Sequence, residues 1–219
     1  MLWRWDQGRL DYFRFESIRL IAKSLVPLNG VNINAPSGDL LREPLEQGTG
    51  LSFAPAHYRV WRNYARVFRA AGLATSIGDA LVVTDLCRAL ARDGEDPMTA
   101  DDYLAFLTTR FYFPSPAFDG WSDGAERVYP FCAVIKYLLN HRRKDRFAAI
   151  TVRQVFGFLI GNNCTGNEPL DHYAQLTDTG LTPQGDQARQ VRELLLFLSQ
   201  LAFLQWSQPA TLFLDLVPC

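Results

Sequence analysis

The sequence predicts a mainly α-helical protein with short β-hairpins, built as two winged-helix-like units in tandem. Three observations carry this expectation. The chain has 219 residues, 48% of them hydrophobic and 21% charged, which is enough apolar material for one large or two small cores. Apolar residues recur at helical spacing in several separate stretches. Twice, such helices are followed by short apolar runs around a tight turn, so that helix, helix and hairpin follow one another in each half.

Taken in order, residues 15–28 place Ile18, Ile21, Ala22 and Leu25 on one helical face, and the stretch from Pro27 to Gly38 breaks the pattern. A second helix is expected over 57–71, ending at Gly72, where a glycine cap belongs. The segment LATSIGDALVVT then reads as two strands around Gly78-Asp79, and a helix follows from Thr84 or Asp85 to Ala91. These elements make an N-terminal unit over 1–92. Residues 93–128 are first acidic and then rich in Pro, Gly and aromatics, with one short helix near 101–109, and read as a connector. The C-terminal unit, 129–219, repeats the layout: helices over 130–140, 151–160 and 182–199 separated by a basic and a polar loop, then LAFLQW and TLFLDLV as a closing hairpin.

Composition excludes several classes. No apolar run approaches the roughly 20 residues that span a bilayer, and the N-terminus lacks a signal-peptide pattern, which predicts a soluble, cytoplasmic protein with no membrane partner. Cys87, Cys132, Cys164 and Cys219 are far apart and form no CxxC, so neither a zinc ribbon nor a disulfide scaffold is expected. His57, His141 and His172 are isolated, no Gly-rich phosphate loop or GxSxG occurs, and no acid is followed two positions later by lysine. The expectation is therefore no catalytic residue, metal or cofactor in this chain; Asp171 beside His172 is the nearest thing to a catalytic pair.

Charge carries more information than its net value of −1. Of the 22 basic residues three are lysine, leaving 19 arginines, whose planar fork suits phosphates and guanine edges. In the expected second helix, Arg59, Arg62, Arg66 and Arg69 fall within an arc of roughly 80°, opposite Val60, Trp61, Tyr64, Val67 and Phe68. No acid lies between His57 and Gly78 to relieve their mutual repulsion. A polyanion would, which makes these four arginines candidate DNA contacts. Arg142, Arg143 and Lys144 form a second basic cluster, and Thr165 and Asn167 lie in a polar loop suited to phosphate or base-edge contact. On the helix that starts at Pro130, the same wheel puts Phe131, Val134, Ile135 and Leu138 inward. Tyr129, Pro130 and Ala133 then face outward as a shallow apolar cup, with Lys136, Arg110 and Arg127 at its rim.

The pattern Tyr129-Pro130-x-x-Ala133 resembles that of the sulfur-binding domains of McrA-like, phosphorothioate-dependent restriction endonucleases, where a Tyr, a Pro, an Ala and an Arg line the pocket for the DNA sulfur. More broadly, YPFCAVIKYLL, TVRQVFGFLIG and the closing helix and hairpin are similar to winged-helix recognition regions of restriction endonucleases of the FokI and AlwI kind. The resemblance implies a double-stranded DNA-recognition module of a phage-defence system, reading phosphorothioate-modified DNA and working with a nuclease domain or subunit. The competing expectation is a protein-interaction module in which the arginine stripe meets an acidic surface, such as the 93–102 segment of its own chain.

Overall fold

The computed structural model describes Trp3, Tyr12 and residues 14–94, 96–115, 122–144, 148–207 and 211–214, with the backbone alone at Lys144 and Phe213. Two compact units result, one of residues 9–99 and the other of residues 100–219 joined by Trp3. The boundary therefore falls at Thr99/Ala100, and the expected connector 93–128 is not a separate piece: its helix belongs to the second unit.

The first unit opens with α1 (Phe15–Leu25), which buries Ile18, Ile21, Ala22 and Leu25 as their spacing requires and ends in a 3-10 turn at Pro27. Next comes α2 (Arg42–Thr49), which the sequence pattern did not announce. Pro44 is harmless in its first turn, and Gly50, at φ +69°, terminates it. Then α3 (Val60–Ala70) buries Val60, Tyr64, Val67 and Phe68, each contributing about 1.5–3 kcal/mol of transfer free energy. Its end is closed by Gly72 at φ +68°, with the Leu73 amide donating back to the Phe68 carbonyl at 2.7 Å. The hairpin β1 (Ala74–Ile77) and β2 (Ala80–Val83) pairs antiparallel around Gly78-Asp79 as expected, and α4 (Asp85–Ala91) starts at Thr84, whose hydroxyl accepts from the Cys87 amide. The free edge of β2 is not left open. Gly30 donates to Leu81 O, Leu81 to Val31 O and Ile33 to Asp79 O, all at 2.8–2.9 Å, so residues 30–33 form a third, outer line of the sheet.

The second unit begins with α5 (Ala100–Arg110) and α6 (Pro130–Lys144). Because α6 runs on to Lys144, Arg142 and Arg143 lie in its last turn rather than in a loop. A strand, β3 (Ala148–Thr151), occupies the stretch expected to be a basic loop; Ala148 and Ile150 point inward. The Thr151–Gln154 capping box then starts α7 (Val152–Gln154), which runs into a π-helical turn at Val155–Ile160. The last helix, α8 (Gln187–Leu198), starts five residues later than expected, and β4 (Leu204–Ser207) and β5 (Thr211–Leu214) close the unit; the remainder of the expected last strand, 215–217, lies outside the described residues. Sheet order is β3-β5-β4, antiparallel throughout. No helix among the described residues is long and apolar enough to cross a membrane.

Candidate nucleic-acid interface

The arginine helix keeps three of its four expected outward arginines. Arg59 is the N-cap residue of α3, and its guanidinium turns back onto the preceding loop, donating to Gly38 O at 2.6 Å, Ala35 O at 2.8 Å and Ile33 O at 3.3 Å. This is a correction to the helical-wheel reading: Arg59 positions the loop that flanks β2. The Asp39 carboxylate of that loop accepts from the Val60 amide at 2.7 Å, so negative charge lies at the positive end of α3. Arg42 works in the same way, donating to Phe53 O and Tyr58 O at 2.6 Å and thereby fixing the segment that leads into the helix.

Arg62 and Arg66 are exposed and Arg69 is half-buried. Arg62 lies 4.2 Å from the centre of the Tyr58 ring and Arg69 5.4 Å from that of Trp61. Contacts of this cation–π kind leave the guanidinium charge in place. Asp93, the first acid of the segment proposed as an internal partner for the stripe, is held instead by Lys23 at 2.7 Å and Arg19 at 2.9 Å on α1, and Asp101 accepts from the Ala202 amide.

The expected cup on α6 does not form. Pro130 is buried, Ala133 is fully so, and Tyr129 is half-buried. The loop 164–170 covers this side of the helix: Tyr129 donates to Thr165 O at 2.6 Å, and Lys136 donates to the carbonyls of Gly166 and Glu168, both at 2.7 Å. Lys136 is thus a clamp for that loop rather than a rim charge. Arg110 and Arg127 are exposed, and Arg127 lies 5.0 Å over the Tyr112 ring, itself 5.7 Å from that of Tyr129. Tyr112 was missed in the sequence. Its signal, an aromatic alternating with Phe111 and Phe113, is indistinguishable there from core.

Of the other expected contacts, Arg142 is half-buried and Arg143 exposed, 3.6 Å from Asp171, a surface ion pair of little strength. The Lys144 side chain lies outside the described residues. Thr165 is occupied internally, its hydroxyl donating to Glu168 at 2.7 Å and accepting from the Asn167 amide, while Asn167 itself is exposed. Of the histidines, His57 lies against Tyr58, His141 is stacked on Tyr137 at 4.0 Å, and His172 lies beside Tyr173. Among the described residues no group of His, Cys, Asp and Glu gathers in metal-holding geometry. A cleft of about 400 Å³ lies between the π-helical turn and the 179–181 loop, lined by Ile160, Gly161, Asn163, Thr179, Gly180 and Leu181, none of which is charged.

Glu168 is the most strongly perturbed carboxylate of this region. Partial burial pushes its pKa up, but donors from the Thr165 amide, Tyr173 hydroxyl and Thr165 hydroxyl outweigh that and bring it from 4.5 down to about 2. The Gly166 amide adds a further bond at 2.8 Å. A depressed carboxylate pKa stabilises the fold fully above the unfolded value and loses that contribution as pH falls through the folded one. The protein should therefore lose stability between pH 4.5 and about 2 from this group, and Glu168→Gln, less stable by about 2–3 kcal/mol at neutral pH, should be flatter over that window. Urea titrations at several pH values test it; equal stability of the two proteins at neutral pH would remove the carboxylate's role.

No protein-family model matches the chain, and no curated protein matches it in sequence.

Proposed function

We propose that this chain is a double-stranded DNA-recognition module of the kind restriction systems carry, binding through the outward arginines of α3. The observation that carries the reading is the placement of Arg62, Arg66 and Arg69 on the solvent face of a helix whose opposite face is core. The order of elements supports it. In the first unit, α1, the 30–33 line, α2, α3, β1 and β2 follow in sequence, and the 30–33 line pairs with β2. In the second unit, α6, β3, α7, α8, β4 and β5 repeat that order, and β3 pairs with β5. Helix, strand, two helices and a hairpin whose last strand joins the first is the arrangement of a winged helix. In helix-turn-helix proteins the later helix of the pair enters the major groove; here that helix is α3. At the tip of the hairpin after it, Ile77 is 72% exposed. On α8, Arg189 and Arg192 are exposed, and Arg189 is paired with Glu193 at 2.9 Å and Asp186 at 3.7 Å.

Phosphate contacts release counterions, so log affinity for duplex DNA should fall with log salt by about 0.9 per phosphate neutralised. Changing Arg62 and Arg66 together to alanine should make that slope shallower by up to about two. Fluorescence anisotropy over a salt series measures it. Salt-independent binding, or a slope the double variant leaves unchanged, would rule out the α3 face as the contact and favour a protein partner for the arginines.

A further inference from the structure

Two segments of the second unit run antiparallel outside its three-stranded sheet. Phe113 donates to Val128 O at 2.8 Å and Val128 returns the bond to Phe113 O at 2.7 Å. That reciprocal pair sets Phe113 and Val128 directly opposite each other, and both are buried. Alternation then turns their neighbours to the other face. Tyr112 stands opposite Tyr129, and Arg127 is the diagonal neighbour, which accounts for the 5.7 Å ring pair and the 5.0 Å guanidinium contact. By the same alternation Glu126 leaves this face.

The platform is held from behind. Its Tyr129 backbone is bonded to Thr165, and Gly166 packs so closely that a Cβ there would come within 2.3 Å of Tyr129 O. Both tyrosines are only half-buried, and neither hydroxyl is hydrogen-bonded among the described residues. Two neighbouring aromatic rings beside an exposed guanidinium suit a flat, π-faced group with polar edges and a nearby anion. An unpaired nucleobase on its strand has all three properties: aromatic rings and arginine planes stack on bases irrespective of sequence, and the cation meets the phosphate. A proline-rich peptide would use the rings but leave the guanidinium unused.

We propose that Tyr112, Arg127 and Tyr129 form a stacking site for an unpaired nucleobase, a contact on the second unit additional to the arginine face of α3. The inference rests on the DNA-recognition reading and deepens it. The test compares the full chain on a fully paired duplex and on the same duplex carrying one unpaired 2-aminopurine. The expected result is tighter binding of the second by about 5- to 100-fold, with quenching of the 2-aminopurine as it stacks. Tyr112→Ala should remove the preference and leave affinity for the paired duplex unchanged, whereas Tyr112→Phe should keep it. Binding of both duplexes with equal affinity and no quenching overturns the stacking site and leaves the DNA reading standing, as does a folded Tyr112→Ala variant that retains the preference. Failure to bind either duplex overturns the DNA reading, and displacement of the bulged duplex by a proline-rich peptide from wild type but not from Tyr112→Ala assigns the site to peptide. Should Tyr112→Ala fail to fold by circular dichroism, quenching by the unaltered protein decides.

Discussion

Arg59→Ala should destabilise the first unit by about 2–4 kcal/mol and leave the salt slope of DNA binding where it was. The guanidinium makes three hydrogen bonds, to carbonyls of Ile33, Ala35 and Gly38, and a charged donor to a carbonyl contributes more than a neutral one. Part of the loss will be recovered by water at the loop surface, which keeps the expectation below the sum of three charged bonds. The damage should spread, because the same loop supplies Asp39 to the start of α3 and residues 30–33 to the edge of β2. Arg59→Lys should restore only a minor part, since an ammonium cannot present a planar fork to three divergent acceptors. Chemical denaturation and the salt series decide together. A stability change under about 0.5 kcal/mol, of the size expected at a plain surface site, with a slope lower by about one unit, would return Arg59 to the outward stripe.

Gly166→Ala should be costlier, about 3–5 kcal/mol, from backbone strain together with overpacking. The glycine has φ +87°, a conformation an L side chain adopts only with strain, and the new Cβ would lie 2.3 Å from the Tyr129 carbonyl oxygen and 3.0 Å from its Cβ. The obstacle is backbone at the start of α6, so it cannot swing aside like a flexible side chain. Moving the loop instead would pull Lys136 and Glu168 off their partners. Gly50→Ala provides the comparison, because Gly50 also has positive φ, +69°, yet nothing lies within 4 Å of its Cβ position. It should lose only about 1 kcal/mol. Equal urea midpoints for the two variants would show that loop 164–170 yields easily and is no fixed support for Tyr129.

Much of the first unit was readable because its elements announce themselves locally. The spacing of Ile18, Ile21, Ala22 and Leu25, the Gly78-Asp79 turn and the helix start at Thr84 or Asp85 each depend on neighbours within a turn or two, and each is found in place. The elements that were missed depend on distant partners. In α2, Pro44 and Gly48 disguise a short helix that exists by packing Leu45 inward. Likewise β3 is four residues that become a strand only because β5, far along the chain, supplies the ladder. The domain boundary slipped for the same reason, since α5 packs on α6 and composition alone made it part of a linker.

For the candidate interface the division is equally physical. The amphipathic character of α3 and its arginine face are legible from residue order alone, because a helical wheel follows from 100° per residue and needs nothing outside the helix. Tertiary structure decided which arginines face outward: Arg59 finds three carbonyls in a loop some twenty-five residues earlier, whereas Arg62 and Arg69 find rings within their own helix or just before it. It also decided the fate of Pro130 and Ala133, since a wheel knows only that they lie away from Phe131, and loop 164–170 turned that second face into interior. Tyr112 and Tyr129 became neighbours through one reciprocal backbone pair, Phe113 with Val128. Periodicity reports how a segment divides polar from apolar; which polar groups then meet backbone instead of solvent is set by loop closure, where few residues are ordered by contacts that no local pattern encodes.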